Sequence, residues 1–261
     1  MAAAPPSAVD KYGQDPLQVG ELRLPPGTGP FPVAIIIHGG CFSQGYATLS
    51  YLRPLAAELA RRGIATWNIE YRQVGDLGGG WPGTFRDWAA AADHLRALAR
   101  HHPLDLSRVI AAGHSAGATA ALWLAARPRL PPGNELRGRD PIRIHAAIAI
   151  DGPANLAGWI GADAAVCGLP VIVPLFDGTP HEHPDRYATG DPSRMSPSGT
   201  ASVLFASVVL DQADARRFVD HDPQARVVVL QDAGHFDMLA PGRPSFVELA
   251  DTVVASLSKH R

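Results

Sequence analysis

Along the chain, the pattern of hydrophobic and polar positions alternates between two kinds of stretch. Continuous apolar runs rich in β-branched residues predict strands buried on both faces: "FPVAIIIH" at 31–38, "IATWNIEY" at 64–71, "RVIAAG" at 108–113 and "IRIHAAIAID" at 142–151. "ASVLFASVVL" (201–210) and "ARVVVLQ" (225–231) predict two more, and the alternating "LQVGELRLP" (17–25) predicts an edge strand. Between them, apolar positions recur at spacings of three and four. Leu52, Leu55, Ala56 and Leu59 form one stripe in 51–62, stopped by Gly63. Phe85, Trp88, Ala89, Ala92, Leu95 and Leu98 form another in 84–100. Two further helices are predicted at 116–126 and 245–257.

Strands alternating with helices predict an α/β fold, a mostly parallel central sheet with helices on both faces. Residues 17–261 are expected to form one domain, and 1–16 a flexible N-terminal arm. Residues 152–200 interrupt the rhythm with Gly, Pro and Asp, which predicts a cap or lid insertion.

A composition of 46% hydrophobic and 18% charged residues suits a globular chain. The formal net charge of −2 gives no electrostatic reason to expect nucleic acid or an anionic membrane as partner. The two cysteines, Cys41 and Cys167, are far apart and make no disulfide framework. The first residues lack the basic and apolar regions of a secretory signal, so a cytoplasmic location is expected.

Candidate chemistry centres on "VIAAGHSAGATAALWLAA". Gly113-x-Ser115-x-Gly117 lies between a predicted strand and a predicted helix, the context of a nucleophile elbow. The sharp turn lifts the Ser115 hydroxyl above the sheet and aims the Ala116 N–H at the same point. His235, in "LQDAGHFDML", follows the last predicted strand and falls at the same carboxyl edge, where it can serve as general base and then acid. The carboxylate that orients it is expected to be Asp211, after the strand "SVLFASVVL", with Asp214 and Asp151 as alternatives. "IIIHGGCF" offers backbone donors for an oxyanion. Gly40 or Cys41 is assigned to it together with Ala116, and His38 is expected to hydrogen-bond beneath that loop.

Taken in order, "HGGCF", "GHSAG" and "AGHFDML" resemble the serine hydrolases of the α/β-hydrolase superfamily. More narrowly, they are similar to the HGGxW-type branch, which includes small carboxylesterases and arylformamidases. "NIEYR" (68–72) resembles a Tyr-Arg found in such esterases. Phe42 stands where that branch has Trp, and the stretch from Asp211 to His235 is short for it.

The resemblance implies cleavage of a small carboxylic ester through an acyl-enzyme, with an amide hydrolase such as an arylformamidase or a peptidase-like relative as the alternative. A non-catalytic binding protein on the same fold would have lost the serine or the histidine. No metal or organic cofactor is required. Phe42, Trp81 and Phe236 are expected to wall the substrate pocket, and Arg72 to pair with Asp87 below it. "GGGWPG" (78–83) matches a dinucleotide fingerprint formally, but does not directly follow a strand and contains Pro82. "HEH" (181–183) lacks the helical spacing of a zinc site.

Overall fold

The structure is a computed structural model that describes residues 5–258. In chain order its strands are β1 (Ala8–Lys11), β2 (Val19–Arg23), β3 (Phe31–Ile37), β4 (Ala65–Ile69), β5 (Leu104–His114), β6 (Ala146–Ile150), β7 (Ala201–Ala206) and β8 (Ala225–Val229). They form one sheet in the order β1-β2-β4-β3-β5-β6-β7-β8. β1 and β2 run antiparallel to their neighbours, and the pairs from β4 through β8 are parallel.

The helices are α1 (Arg53–Arg61), α2 (Gly83–Asp93), α3 (Leu95–Leu98), α4 (Ala116–Ala126), α5 (Leu156–Trp159), α6 (Ala162–Cys167), α7 (Ile172–Phe176), α8 (Pro184–Gly190), α9 (Gln212–His221) and α10 (Pro244–Ser258). Their connections put helices on both faces of the sheet, as the alternating pattern predicts.

The continuous apolar runs divide with period two. Ala34 and Ile36 of β3, Ile110 and Ala112 of β5, and Ile148 and Ile150 of β6 face a core shared with α1 and α10. Val33, Ile35, Ile37, Val109, Ala111, Ala147 and Ala149 face the other core, with α2 and α4. Such strands cannot alternate with polar residues because neither face meets water. Every residue of α4 is buried. Its run of Ala and Gly lets the helix lie close against the sheet, while Trp123 fills space farther out and its indole N–H donates to the Thr189 carbonyl at 2.9 Å.

Three expectations are revised. Residues 8–11 of the predicted arm form β1, paired with β2 from Ala8↔Leu22 to Lys11↔Val19, so β2 is not an edge; residues 1–4 lie outside the described residues. The 84–100 helix divides into α2 and α3 at His94. The strand predicted over 201–210 stops at Ala206, because the next four amides turn to another partner described below.

Residues between β6 and β7 carry the four short helices α5–α8. Asp163 organises part of this segment: its carboxylate accepts N–H groups from Gly161, Ala164, Val171 and Ile172 at 2.8–3.0 Å. Burial raises the Asp163 carboxyl, but those amides outweigh it and hold it below its ordinary value. The loop closed in this way contains Cys167, which is joined to Cys41 by a disulfide. The two cysteines read as separate in the sequence are therefore a covalent tie between the loop after β3 and the segment after β6.

Because the bridge closes a loop across a sequence separation of 126, it restricts the unfolded chain strongly. Replacing both cysteines by serine is expected to lower stability by about 2–4 kcal/mol. The melting temperature would fall by on the order of 10 °C. Calorimetry of the double variant checks this, and an unchanged melting temperature would contradict it.

Candidate active site

Ser115 is the hinge between β5 and α4. Its backbone stands at φ 56°, ψ −124°, a conformation that a non-glycine residue adopts only under constraint. The constraint is visible at the flanking glycines. A Cβ on Gly113 would lie 1.8 Å from the Gly117 carbonyl oxygen, and one on Gly117 would lie 2.1 Å from that of Ile37. The elbow therefore requires glycine at both positions. Ser115 N–H donates to the Ile150 carbonyl at 2.8 Å, which locks the turn to the end of β6.

Ser115 and His235 line the same cleft, of about 650 Å³, together with Gly40, Cys41, Tyr46, Tyr51, Val166 and Phe236. The Ser115 hydroxyl makes no hydrogen bond among the described residues. His235 Nδ1 lies 2.7 Å from Asp151 Oδ2, which leaves Nε2 as the nitrogen available for proton transfer.

Asp151, immediately after β6, is thus the carboxylate that meets His235. It is fully buried. Its Oδ1 accepts the N–H groups of Ser207, Val208, Val209 and Leu210 at 3.0–3.1 Å. Burial pushes its carboxyl up, but the hydrogen bond from His235 and the backbone amides outweigh that, and the net shift is downward. The group is held as the carboxylate.

The expected acid, Asp211, is elsewhere. It caps the N-terminus of α9, accepting the Asp214 N–H at 2.8 Å. Asp214 is paired with Arg217. The loop after β7 does serve His235, but through its backbone: its amides hold a carboxylate supplied by the neighbouring parallel strand.

At the end of β3, Gly40, Cys41 and Phe42 have positive φ in succession, 109°, 54° and 55°. The N–H groups of Gly40, Cys41 and Ala116 have no hydrogen-bond acceptor among the described residues. The Gly39–Gly40 peptide is oriented by His38, whose Nδ1 lies 2.7 Å from the Gly39 carbonyl. A trans peptide points its N–H away from its C=O, so His38 also sets the direction of the Gly40 N–H. His38 is fully buried, 2.6 Å from Glu70 through Nε2, and stacked on Tyr71 at 4.4 Å. Glu70 also accepts the Leu49 N–H at 3.0 Å. This role of Glu70 within "NIEYR" was missed in the sequence. The expected Arg72–Asp87 pair is present, with bonds of 2.7 and 2.8 Å.

Of the three aromatic residues expected at the pocket, Phe236 is there. Phe42 is not: its left-handed backbone turns the ring into the core, 6.5 Å from Trp88. Trp81 also points inward, stacked on Phe176 at 5.7 Å and edge-on to Phe85 at 5.0 Å. Tyr46 and Val166 line the cleft in their place, and the Tyr46 hydroxyl donates to the Cys167 carbonyl at 2.8 Å.

At the wall of the same cleft, His114 is buried and neutral. Desolvation by burial, followed by the charge on neighbouring His235, lowers its pKa from 6.5 to about 3. His114 Nε2 lies 2.8 Å from the His235 carbonyl and Nδ1 lies 3.0 Å from the Tyr51 hydroxyl.

The BD-FAE family model matches residues 21–195. Among solved structures the chain is similar to a bifunctional GH43-CE protein of Bacteroides eggerthii, with a TM-score of 0.73 and 18% identity over 95% of this chain. It spans only 37% of that protein. It is also similar to esterase B of Lactobacillus rhamnosis bound to a C6-C4 SN3 inhibitor (TM-score 0.77, 20% identity, 98% of this chain and 88% of that one). A third is esterase 2 of Thermogutta terrifontis phosphoramylated by tabun (TM-score 0.70, 16% identity, 95% and 92%). These likenesses show the α/β-hydrolase fold. No curated protein matches the sequence.

The neutral His114 makes stability depend on pH. In the unfolded chain histidine takes up a proton near pH 6.5, whereas folded His114 does so only at about 3. Between those values the unfolded state binds a proton that the fold refuses, so stability falls with pH by about 1.4 kcal/mol per unit. Asp151, depressed in the fold, adds a loss only below its unfolded value near 4. Urea unfolding midpoints are expected to fall from pH 6.5 to 4, and His114→Gln to flatten that fall. An equal slope in the variant would contradict a neutral His114.

Proposed function

Because this chain belongs to the BD-FAE family, an esterase family of the α/β-hydrolase fold, we propose that it cleaves small carboxylic esters through an acyl-enzyme formed on Ser115. The observation that carries this reading is the His235 Nδ1–Asp151 Oδ2 bond of 2.7 Å at the edge of the cleft that contains Ser115.

In this reading Ser115 Oγ attacks the ester carbonyl and His235 Nε2 takes its proton. Asp151 fixes His235 in the Nδ1–H tautomer and stabilises the imidazolium that forms. The tetrahedral oxyanion is held by the N–H of Ala116 with that of Gly40 or Cys41. One such donor is worth ~3 kcal/mol in the transition state. His235 then returns the proton to the departing alcohol, and water repeats the sequence on the acyl-enzyme. Asp151 stays ionised throughout, since its amide partners favour the carboxylate.

Cleft size supports a small substrate, because 650 Å³ lies in the range of ordinary small-molecule sites. Val166, Tyr46 and Phe236 offer apolar surface beside Ser115 for an acyl chain. Among the described residues no helix is long and apolar enough to cross a membrane. The Cys41–Cys167 bridge favours an oxidising compartment over the cytoplasm.

A fluorophosphonate probe is expected to label the wild type and not Ser115→Ala; equal labelling of both would sink Ser115 as nucleophile. On p-nitrophenyl acetate and butyrate, Asp151→Asn is expected to lower kcat by about 10³–10⁴-fold. Asp211→Asn should stay within about twofold of wild type, because it alters only a helix cap. The reverse ranking would return the acid to Asp211. Faster turnover of N-formylkynurenine than of either ester would favour the arylformamidase alternative.

A further inference from the structure

Two residues with no role in the scheme above connect its two halves. Gly39 N–H donates to the Tyr51 hydroxyl at 2.6 Å. The Tyr51 hydroxyl is 3.0 Å from His114 Nδ1, and His114 Nε2 is 2.8 Å from the His235 carbonyl. One arrangement of protons satisfies all three contacts. A carbonyl oxygen can only accept, so Nε2 of His114 carries the hydrogen. In a neutral ring Nδ1 is then bare and accepts the Tyr51 proton. The tyrosine oxygen is left as acceptor for Gly39 N–H.

We propose that Tyr51 and His114 are positioning residues, an uncharged relay that registers the oxyanion loop against the backbone of His235. One end of the relay is the residue before Gly40. The other is the main chain of the base. Between them stands His114, the variable residue of the G-x-S-x-G elbow itself. The relay therefore sets donors, nucleophile and base relative to one another, a task the Asp151 contact cannot perform from the far side of the His235 ring. This inference rests on the serine-hydrolase reading above.

The relay works because it is neutral. The His114 ring lies 4.3 Å from that of His235, tilted by 39°. A second proton on His114 would put a cation beside the imidazolium that His235 becomes during catalysis. It would also place an N–H against the Tyr51 oxygen, which already receives Gly39 N–H, and leave the tyrosine proton without its acceptor. The surroundings oppose that state. The Tyr51 ring meets His114 edge-on at 5.7 Å and Phe236 covers it at 5.3 Å. Among the described residues Asp151 acts to raise His114, but its effect is weaker than that of burial, which lowers it. Burial likewise raises the Tyr51 phenol, so its proton stays available to Nδ1.

Tyr51→Phe removes one oxygen and leaves the ring. It is expected to lower kcat on p-nitrophenyl butyrate by roughly 10-fold, with KM changed less than about threefold, because donors and base lose registration and the cleft keeps its shape. His114→Phe removes both links and is expected to cost on the order of 100-fold in kcat. His114→Gln keeps an N–H able to reach the His235 carbonyl and is expected to recover most of that loss. The double variant Tyr51→Phe/His114→Phe should be no worse than His114→Phe alone, since the links act in series. Titration of active sites with the fluorophosphonate, beside melting curves, corrects each rate for folded protein.

Wild-type kcat in Tyr51→Phe and His114→Phe, or a Gln variant no better than Phe, would overturn the relay while leaving the serine-hydrolase reading intact. A wild type inert to both esters and probe would overturn that reading and the relay's function with it. A substrate-free measurement separates the two: ¹⁵N resonances of the histidine rings at pH 5 are expected to show His114 as a neutral Nε2–H tautomer. A protonated His114 at that pH would overturn the proposal on its own.

Discussion

The site depends on how closely three pieces of backbone approach one another under Ser115. Gly113 admits the main chain of Gly117, and Gly117 admits that of Ile37 and His38, only because neither has a Cβ. Gly152 does the same from the neighbouring strand, where a Cβ would lie 1.9 Å from the Ser115 carbonyl oxygen. Gly39 closes the remaining side, where a Cβ would meet the Ser115 Cβ at 2.6 Å. The ends of β3, β5 and β6 are thus drawn together at one point. The positive φ of Ser115 and Asp151 is the local cost of that convergence, offset by the sheet and by α4 packed against it. An elbow of this kind cannot be loosened locally, because each of these glycines lies against the main chain or Cβ of a neighbouring segment.

Convergence explains why the acid can change strands. In a parallel sheet the carboxyl ends of β6 and β7 are adjacent, so a carboxylate on either can reach a histidine above them. Here it stands after β6, at a left-handed residue that turns it toward β7. The loop after β7 answers with four consecutive N–H groups. A carboxylate accepting several amides remains ionised despite burial, which the downward shift at Asp151 reflects. The loop that was expected to carry the charge binds it instead.

The fold was legible because both periods were strong. Runs such as "AIIIH" and "AAIAI" have no polar face to confuse with a surface strand. The common edge of Ser115 and His235 was legible for the same reason, since both follow the end of a strand. What could not be read was anything decided by the direction of a side chain leaving a loop. Asp211 and Asp151 each end a predicted strand, and only the turn of residues 207–210 distinguishes a helix cap from a partner of His235. Phe42 was placed in the pocket by its position after "HGGC", but three successive positive φ values turn it inward. The union of Cys41 with Cys167 depends on where the segment after β6 returns, which no spacing reveals. His114 carried a weak signal, its place inside the elbow, that Tyr51 did not share.

The segment expected to act as a lid is held in a way that changes what it can do. Cys167 is bonded to Cys41, a residue of the loop proposed to hold the oxyanion, and its carbonyl receives the Tyr46 hydroxyl from the same loop. Asp163 closes the intervening turn with four amides. Val166 lies within that turn and faces the cleft. A hinge that moved Val166 away from Ser115 would pull on Cys41 and disturb the N–H groups beside it. The wall of the cleft and the proposed oxyanion donors are therefore tied together covalently. Under the proposed function, the spacing of Val166 and Phe236 from Ser115 bears on which acyl chains fit, because all three line the same cleft.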